Sequence, residues 1–286
     1  MIEDRADALV STAWLAARLG DADIRIVDSS WYLPQQKRNA RWEYERARIP
    51  GARFFDIDEI ADTGSGLPHT LPGPELFAER VTALGIGNRH RIVAYDGLGI
   101  FSAARAWWMF RAFGHDEVAV LDGGIAKWRA EARATEEGSP AAPKPAAPPF
   151  RAVYDPARFR SLDAMRANLD SGAEQVADAR SRGRFEGTEP EPREGLRSGH
   201  IPGARNLPYG ELVDPETGAL HSRERLAEAF ARAGLALDRP VVTSCGSGVT
   251  AAILSLALHL LGHRDHALYD GSWSEWGGRD DTPIEV

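Results

Sequence analysis

The run Val241-Val242-Thr243-Ser244-Cys245-Gly246-Ser247-Gly248-Val249-Thr250 decides the fold, because three kinds of signal meet in it. Val241-Val242-Thr243 is β-branched and predicts a buried strand. The stretch to Thr250 carries two glycines and no apolar period, as a tight loop requires. Ala251 to Leu261 is then apolar at helical length, broken only by Ser255 and His259, and Gly262 falls where helices end in a left-handed residue. Strand, loop and helix in that order form one unit of a parallel sheet with helices on both faces. The loop lies beyond the strand's carboxyl end, where such sheets bind ligands. The chain's only cysteine, Cys245, sits there.

Outward from this stretch, the same signals occur twice in the same order. Ile24-Arg25-Ile26-Val27-Asp28 matches Glu174-Gln175-Val176-Ala177-Asp178, and Ile49-Pro50-Gly51-Ala52-Arg53 matches Ile201-Pro202-Gly203-Ala204-Arg205. Arg91-Ile92-Val93-Ala94-Tyr95-Asp96 matches Pro240 to Cys245, and Leu121-Asp122-Gly123-Gly124 with Trp128 matches Tyr269-Asp270-Gly271-Ser272 with Trp276. Chance does not preserve order and spacing over four blocks, so the chain is a duplicated domain. Between the halves, Ser139-Pro140-Ala141-Ala142-Pro143-Lys144-Pro145-Ala146-Ala147-Pro148-Pro149 cannot continue a helix or a central strand and reads as an extended spacer. The expected division is an N-terminal domain over residues 1–138, a linker over 139–150 and a C-terminal domain over 151–286, both domains α/β.

Composition narrows the function. A length of 286 residues suits two domains, and 43% hydrophobic with 27% charged residues is an ordinary globular balance. The net charge of −8 argues against nucleic acid as a partner, although a local arginine cluster can still hold a small anion. No stretch approaches the roughly 20 apolar residues of a membrane span, so no membrane role is expected. Met1-Ile2-Glu3-Asp4-Arg5-Ala6-Asp7 is acidic with no apolar run behind it, which is not a secretory signal. One cysteine makes no internal disulfide, and the expected location is cytoplasmic. A lone cysteine among scattered histidines has no zinc spacing, and neither a metal nor another cofactor is expected.

The cysteine loop itself suggests chemistry. Gly246 and Gly248 let successive amides of residues 246–250 turn inward as an anion nest, and the following helix adds its positive end. That surrounding favours a thiolate on Cys245, and Gly246, Gly248, Val249 and Thr250 could hold an anion or a sulfur carried by it. The plain alternative is a buried structural cysteine, the commoner fate of a free thiol. Strand-end position, flanking glycines and a helix start favour the nucleophile. Cysteine phosphatases share the arrangement but need an arginine six residues beyond the cysteine, where this chain has Ala251. Sulfur transfer through a persulfide on Cys245 needs only the amides.

With Cys245-Gly246-Ser247-Gly248-Val249-Thr250, Ser198-Gly199-His200-Ile201-Pro202-Gly203-Ala204 and Tyr269-Asp270-Gly271-Ser272-Trp273 in view, the chain resembles the tandem-domain rhodanese family over essentially its whole length. Members that prefer thiosulfate resemble Cys-Arg-Lys-Gly-Val-Thr in the loop, with two cations facing a dianionic donor. Neutral Gly246 and Ser247 instead resemble the branch that takes sulfur from 3-mercaptopyruvate. The resemblance implies that Arg184 and Arg193 bind the donor's carboxylate and ketone, as bidentate donors suit. It also implies a proton relay of Ser247, His69 and Asp58, since a serine hydroxyl alone is a poor acid. His200 is expected to orient the site's loops rather than act as a base. In the first half Asp96 stands where Cys245 stands in the second. A carboxylate cannot carry sulfur and would repel an anion from the nest, so that half is expected to be catalytically silent, with Trp107, Trp108 and Trp128 as packing. The implied reaction is a double displacement from a small-molecule sulfur donor through the Cys245 persulfide to cyanide, a small thiol or thioredoxin, with pyruvate released. The rivals are a thiosulfate sulfurtransferase and a non-catalytic binding module of the same fold.

Overall fold

The computed structural model describes residues 8–286; the acidic stretch Met1 to Asp7 lies outside them. The first compact unit runs up to Ala61 and takes in Leu71–Tyr154 and Asp214–Leu220. Its strands are β1 (Leu9–Val10), β2 (Ile24–Asp28), β3 (Arg53–Phe54), β4 (Arg91–Tyr95) and β5 (Val118–Leu121), paired in the order β1-β5-β4-β2-β3. Every pairing is parallel. The helices between them are α1 (Thr12–Ala16), α2 (Ala40–Arg46), α3 (Pro74–Ala83), α4 (Ala103–Ala112) and α5 (Gly124–Ala130).

The second unit comprises Asp62–Thr70, Asp155–Val213 and His221–Val286. Strands β6 (Phe159–Arg160), β7 (Gln175–Asp178), β8 (Arg205–Asn206), β9 (Val241–Ser244) and β10 (His266–Tyr269) pair in the order β6-β10-β9-β7-β8, all parallel. Its helices are α6 (Leu162–Ser171), α7 (Arg182–Phe185), α8 (Arg223–Arg232), α9 (Ala251–Leu260) and α10 (Ser272–Trp276). The two strand orders are the same order, element for element. Right-handed crossovers in an order that doubles back put helices on both faces of each sheet.

The local reasons are legible in the residues. Ser11, Asn39, Ser161, Ser181 and Ser222 each accept an amide of the first turn of the helix they precede. All ten residues of α9 are buried, and its Ile253, Leu254, Leu256 and Leu258 contribute about 1.5–3 kcal/mol each on leaving water. Ser255, the polar break in that helix, meets Thr243 of β9 at 2.9 Å, so its hydroxyl is satisfied inside the core. Past Leu261, Gly262 takes φ +87° and donates to the His259 carbonyl, while His263 donates to that of Leu258. That paired closure ends the helix at the expected glycine. Trp107, Trp108 and Trp128 are buried in the first unit. Among the described residues no helix is long and apolar enough to cross a membrane.

Two features have no counterpart in the sequence reading. The Pro/Ala segment is extended but not bare: the amides of Ala146 and Phe150 donate to the Thr82 carbonyl and hydroxyl at the end of α3, both at 2.9 Å. The units are also discontinuous, which a boundary at that segment does not express. Asp62–Thr70 belongs to the second unit and Asp214–Leu220 to the first. These segments correspond in the repeat. Asp62 Oδ1 accepts from the Gly64 amide at 3.0 Å, and Asp214 Oδ1 accepts from the Glu216 and Thr217 amides at 2.9 and 3.0 Å. His69 and His221 follow at the same remove from those aspartates.

Candidate active site

Cys245 follows the last residue of β9 and is 2% exposed. Its amide donates to Ser272 Oγ at 3.2 Å, and that hydroxyl donates to the Tyr269 carbonyl at 2.8 Å. Its carbonyl accepts from the Trp273 amide at 2.9 Å, and the Gly246 carbonyl accepts from Ser274 through both amide and hydroxyl. The cysteine is thus pinned to the start of α10. Ser272 holds φ +48° to do this, a left-handed conformation that costs a serine about 1–3 kcal/mol. The Cys245 amide is spent on Ser272 and does not belong to the cradle. The amides of Ser247, Val249 and Thr250 have no acceptor among the described residues and remain for a bound group.

The two glycines serve different ends. Gly248 takes φ +77°, which turns the loop. Gly246 is not left-handed; it makes room. A Cβ there would lie 3.0 Å from Arg184 Nη2 and 3.9 Å from Arg193 Nη1. Both expected arginines therefore reach the residue beside the thiol. Arg184 rides on α7, a single turn capped by Ser181, rather than on a bare loop.

Sequence reasoning missed what holds Arg184. Glu191, with its side chain 2% exposed, accepts from Arg184 Nη2 at 2.5 Å and Nε at 3.2 Å. Its other oxygen accepts from Arg180 Nη1 at 2.7 Å. Arg180 is fully enclosed: it pairs with Asp178 at 2.7 Å, donates to the Gly199 carbonyl at 2.9 Å and lies 4.2 Å over the Trp273 ring. Burial opposes its charge, but Asp178 and Glu191 more than compensate and raise its pKa. A buried line Asp178–Arg180–Glu191–Arg184 thus runs from the end of β7 to the cysteine loop. A carboxylate flanked by two prolines beside Arg193 was the available signal in the sequence.

Ser247 Oγ lies 2.9 Å from His69 Nδ1, and both residues are buried. His69 has φ +62°, a conformation a histidine holds only when its surroundings impose it. Asp58 lies in the first unit, where its Oδ2 accepts from the Trp31 indole at 3.0 Å. The local turn is capped by Asp56, whose Oδ1 accepts from the amide of Asp58 at 3.0 Å. His200 stacks on Phe185 of α7 at 3.7 Å and its Nδ1 meets the Phe185 carbonyl at 2.8 Å, so it braces the helix that carries Arg184.

The first half corrects one expectation. Asp96 does not merely repel anions from its nest; it fills the nest. Its carboxylate accepts from the amides of Leu98 at 2.8 Å, Phe101 at 2.7 Å and Ala103 at 2.8 Å. Burial raises its pKa, and these same amides oppose the rise. Six residues separate Asp96 from α4, against five between Cys245 and α9, and the longer loop gives the carboxylate room to fold back onto it. The duplicated half thereby displays an anion bound to the cradle. Among the described residues no cluster of His, Cys, Asp and Glu is placed to hold a metal ion.

Comparison with known proteins agrees with this geometry. The profile of the rhodanese-like domain matches residues 11–131 and again residues 161–279. The chain is 44% identical over 298 residues to thiosulfate/3-mercaptopyruvate sulfurtransferase 1, mitochondrial, of Arabidopsis thaliana, covering 98% of this chain and 78% of that one. It is 44% identical to the human 3-mercaptopyruvate sulfurtransferase over 275 residues, which is 94% of this chain and 91% of the relative. Among solved structures, the crystal structure of the 3-mercaptopyruvate sulfotransferase SseA from Escherichia coli superposes with a TM-score of 0.84 at 40% identity, covering 93% of this chain and 99% of that one.

Proposed function

The chain belongs to the rhodanese family, with two copies of its domain, and from that premise we propose that it is a sulfurtransferase taking sulfur from 3-mercaptopyruvate onto Cys245. The observation that carries this reading is the pair of guanidinium groups, Arg184 and Arg193, beside Gly246 and next to the chain's only thiol. A donor with a carboxylate and a ketone needs two planar cationic forks within a few ångströms of the attacking sulfur. A Cβ at position 246 would crowd the first of them.

The reaction follows as two displacements. The Cys245 thiolate attacks the donor sulfur, an S–S bond forms, and the donor C–S bond breaks with its electron pair passing into the enolate of pyruvate. Ser247, hydrogen-bonded to His69, delivers the proton that converts the enolate to pyruvate, and the family resemblance assigns Asp58 to the same relay. The persulfide rests on the free amides of Ser247, Val249 and Thr250. An acceptor nucleophile (cyanide, a small thiol or thioredoxin) then attacks its outer sulfur and restores the thiolate. The N-terminal domain, with Asp96 in its cradle, takes no sulfur. A cytoplasmic location belongs to the same reading and rests on the sequence.

Thiosulfate is the second reading, because the Arabidopsis relative is named for both donors. The primary test is intact mass after incubation with mercaptopyruvate. An adduct of about 32 Da, one sulfur, is expected on the native chain and absent from Cys245→Ser. No adduct on either would leave a non-catalytic module. A kcat/KM higher for thiosulfate than for mercaptopyruvate would reverse the choice of donor.

A further inference from the structure

The first unit contains a cavity at the place that corresponds to the active site. β2 and β4 are the neighbours at which its strand order doubles back, as β7 and β9 are in the second unit. Ligand crevices open at the carboxyl ends of strands at such points. A cavity of about 620 Å³ lies there, of a size that takes small organic ligands. Its floor includes Asp28, Ser30 and Gly97, which stand where Asp178, Arg180 and Gly246 stand in the live half.

The device beside the glycine is repeated as well. At Gly97 a Cβ would run into the Tyr32 hydroxyl, with Arg38 Nη2 behind it at 3.3 Å and donating to that hydroxyl at 2.8 Å, whereas at Gly246 Arg184 Nη2 itself is the nearest group, at 3.0 Å. Each arginine is held by a glutamate through Nε and Nη2. Arg38 bonds Glu43 at 2.8 and 2.5 Å, as Arg184 bonds Glu191 at 3.2 and 2.5 Å. Arg38 is further seated 3.8 Å over the Tyr32 ring. The two arginines occupy different positions along their loops, so they reach the same place from different points of the chain. A half that cannot carry sulfur still has a braced guanidinium near its cradle, with the Tyr32 hydroxyl between it and Gly97.

The charges facing the cavity favour an anionic head group. Asp28 is bonded to Ser30 and Glu43 to Arg38 and Tyr32, which leaves Glu137 as the carboxylate at the rim. Against it stand Arg46, which lies over the Trp42 ring, and Arg129, whose charge also acts on Glu43 and helps to lower its pKa. Trp42, 57% exposed, offers an apolar wall with Arg46 5.3 Å over its ring.

We propose that this cavity binds a small carboxylate of the 2-oxo acid class and does not turn it over. The ligand class rests on the reading of the live site as a 2-oxo acid site. The nucleophile is absent and Asp96 fills the nest, so a bound acid meets no attacking sulfur and is not turned over. The test is calorimetric titration of the full chain with pyruvate, and with phenylpyruvate, whose ring suits Trp42. In Arg184→Ala/Arg193→Ala protein, binding of both acids is expected to persist. Adding Arg46→Ala/Arg129→Ala, both at exposed positions, should weaken it about 10- to 100-fold, the usual consequence of losing charged hydrogen bonds. No binding once Arg184 and Arg193 are gone, or binding indifferent to Arg46 and Arg129, overturns the proposal. So does displacement of pyruvate by an equal concentration of sulfate, which would mark an unspecific anion patch. Mercaptopyruvate turnover unchanged by Arg184→Ala/Arg193→Ala would instead overturn the live-site reading, and the Arg46/Arg129 comparison stands apart from it.

Discussion

Replacing Glu191 by glutamine tests whether the buried line from β7 positions the donor. Glutamine has the same shape but offers one acceptor where the carboxylate serves two arginines. Arg180 is fully enclosed and keeps Asp178 and the Gly199 carbonyl, so it retains the amide oxygen and orientation. The amide NH2 then faces Arg184, which loses bonds of 2.5 and 3.2 Å to a carboxylate and is left pointing at a donor. Each hydrogen bond to a charged group contributes about 1.5–3 kcal/mol. Arg184 has a side chain 21% exposed and recovers part of that from water. A net loss of about 1.4–3 kcal/mol in holding the donor corresponds to a fall of roughly 10- to 100-fold in kcat/KM. The donor's carboxylate is present in ground and transition states alike, so the loss should appear in KM, with kcat changed little. Steady-state pyruvate release from mercaptopyruvate, at saturating cyanide, measures both constants, and a thermal midpoint checks the fold. A fall confined to kcat, or no change in either constant with the fold intact, would refute the positioning role.

Gly246→Arg with Ser247→Lys places two cations in the loop and crowds a flexible arginine tip 3.0 Å away, so the kcat/KM ratio of thiosulfate to mercaptopyruvate should rise by about tenfold or more; a ratio unmoved in an active double variant would discount loop charge as the basis of donor choice. Asp28 bears on stability rather than catalysis. It is buried at the end of β2 with Ser30 and the Tyr95 hydroxyl as hydrogen-bond partners and no cation, and burial pushes its pKa up to about 6. An unfolded aspartate titrates near 4, so between those values the folded chain holds a proton that the unfolded chain has lost, and stability falls as pH rises through the interval. Above it the cost is constant at about 3 kcal/mol, roughly two pH units at 1.36 kcal/mol each. Asp28→Asn is therefore expected to raise the urea midpoint of the first unit at pH 8 and to change it little at pH 4. Equal shifts at both values would place the effect in packing.

The duplication, the parallel sheets and the cysteine loop could be read from the chain because each rests on local signals. β-branched runs, glycines and an apolar helix lie within a few residues of one another around Cys245, and the first half repeats them. Arg184 and Arg193 were legible only through a resemblance, since charge in a loop has no period. Arg180 was not legible, and Glu191 showed only as a carboxylate between two prolines, with nothing to say what it meets. Their burial comes from four segments, around Asp178, Glu191, Gly199 and Trp273, and no one-dimensional pattern registers such a meeting. The trade of Asp62–Thr70 for Asp214–Leu220 escaped for the same reason, although it decides which unit holds His69. Asp96 was identified as the mark of the silent half, yet its fold-back onto the Leu98, Phe101 and Ala103 amides depends on one extra loop residue whose effect is geometric.

The Asp96 carboxylate has a further consequence as a covalently tethered ligand, whose binding to the cradle is intramolecular. The cradle of its half is permanently in the bound state, and that occupancy does not depend on sulfur supply. The other half alternates, since its cradle is vacant before each turnover and filled while sulfur rides on Cys245. That sulfur is covalently held and stays on the chain when it unfolds, so what it adds to the fold is its contact with the Ser247, Val249 and Thr250 amides. The duplicate architecture is therefore lopsided: one cradle is always filled and the other is filled only while sulfur is loaded. Resistance to local opening around α9 and α10 would then track the fraction of chains carrying sulfur, which makes the enzyme's loading state a matter of its lifetime as well as its turnover.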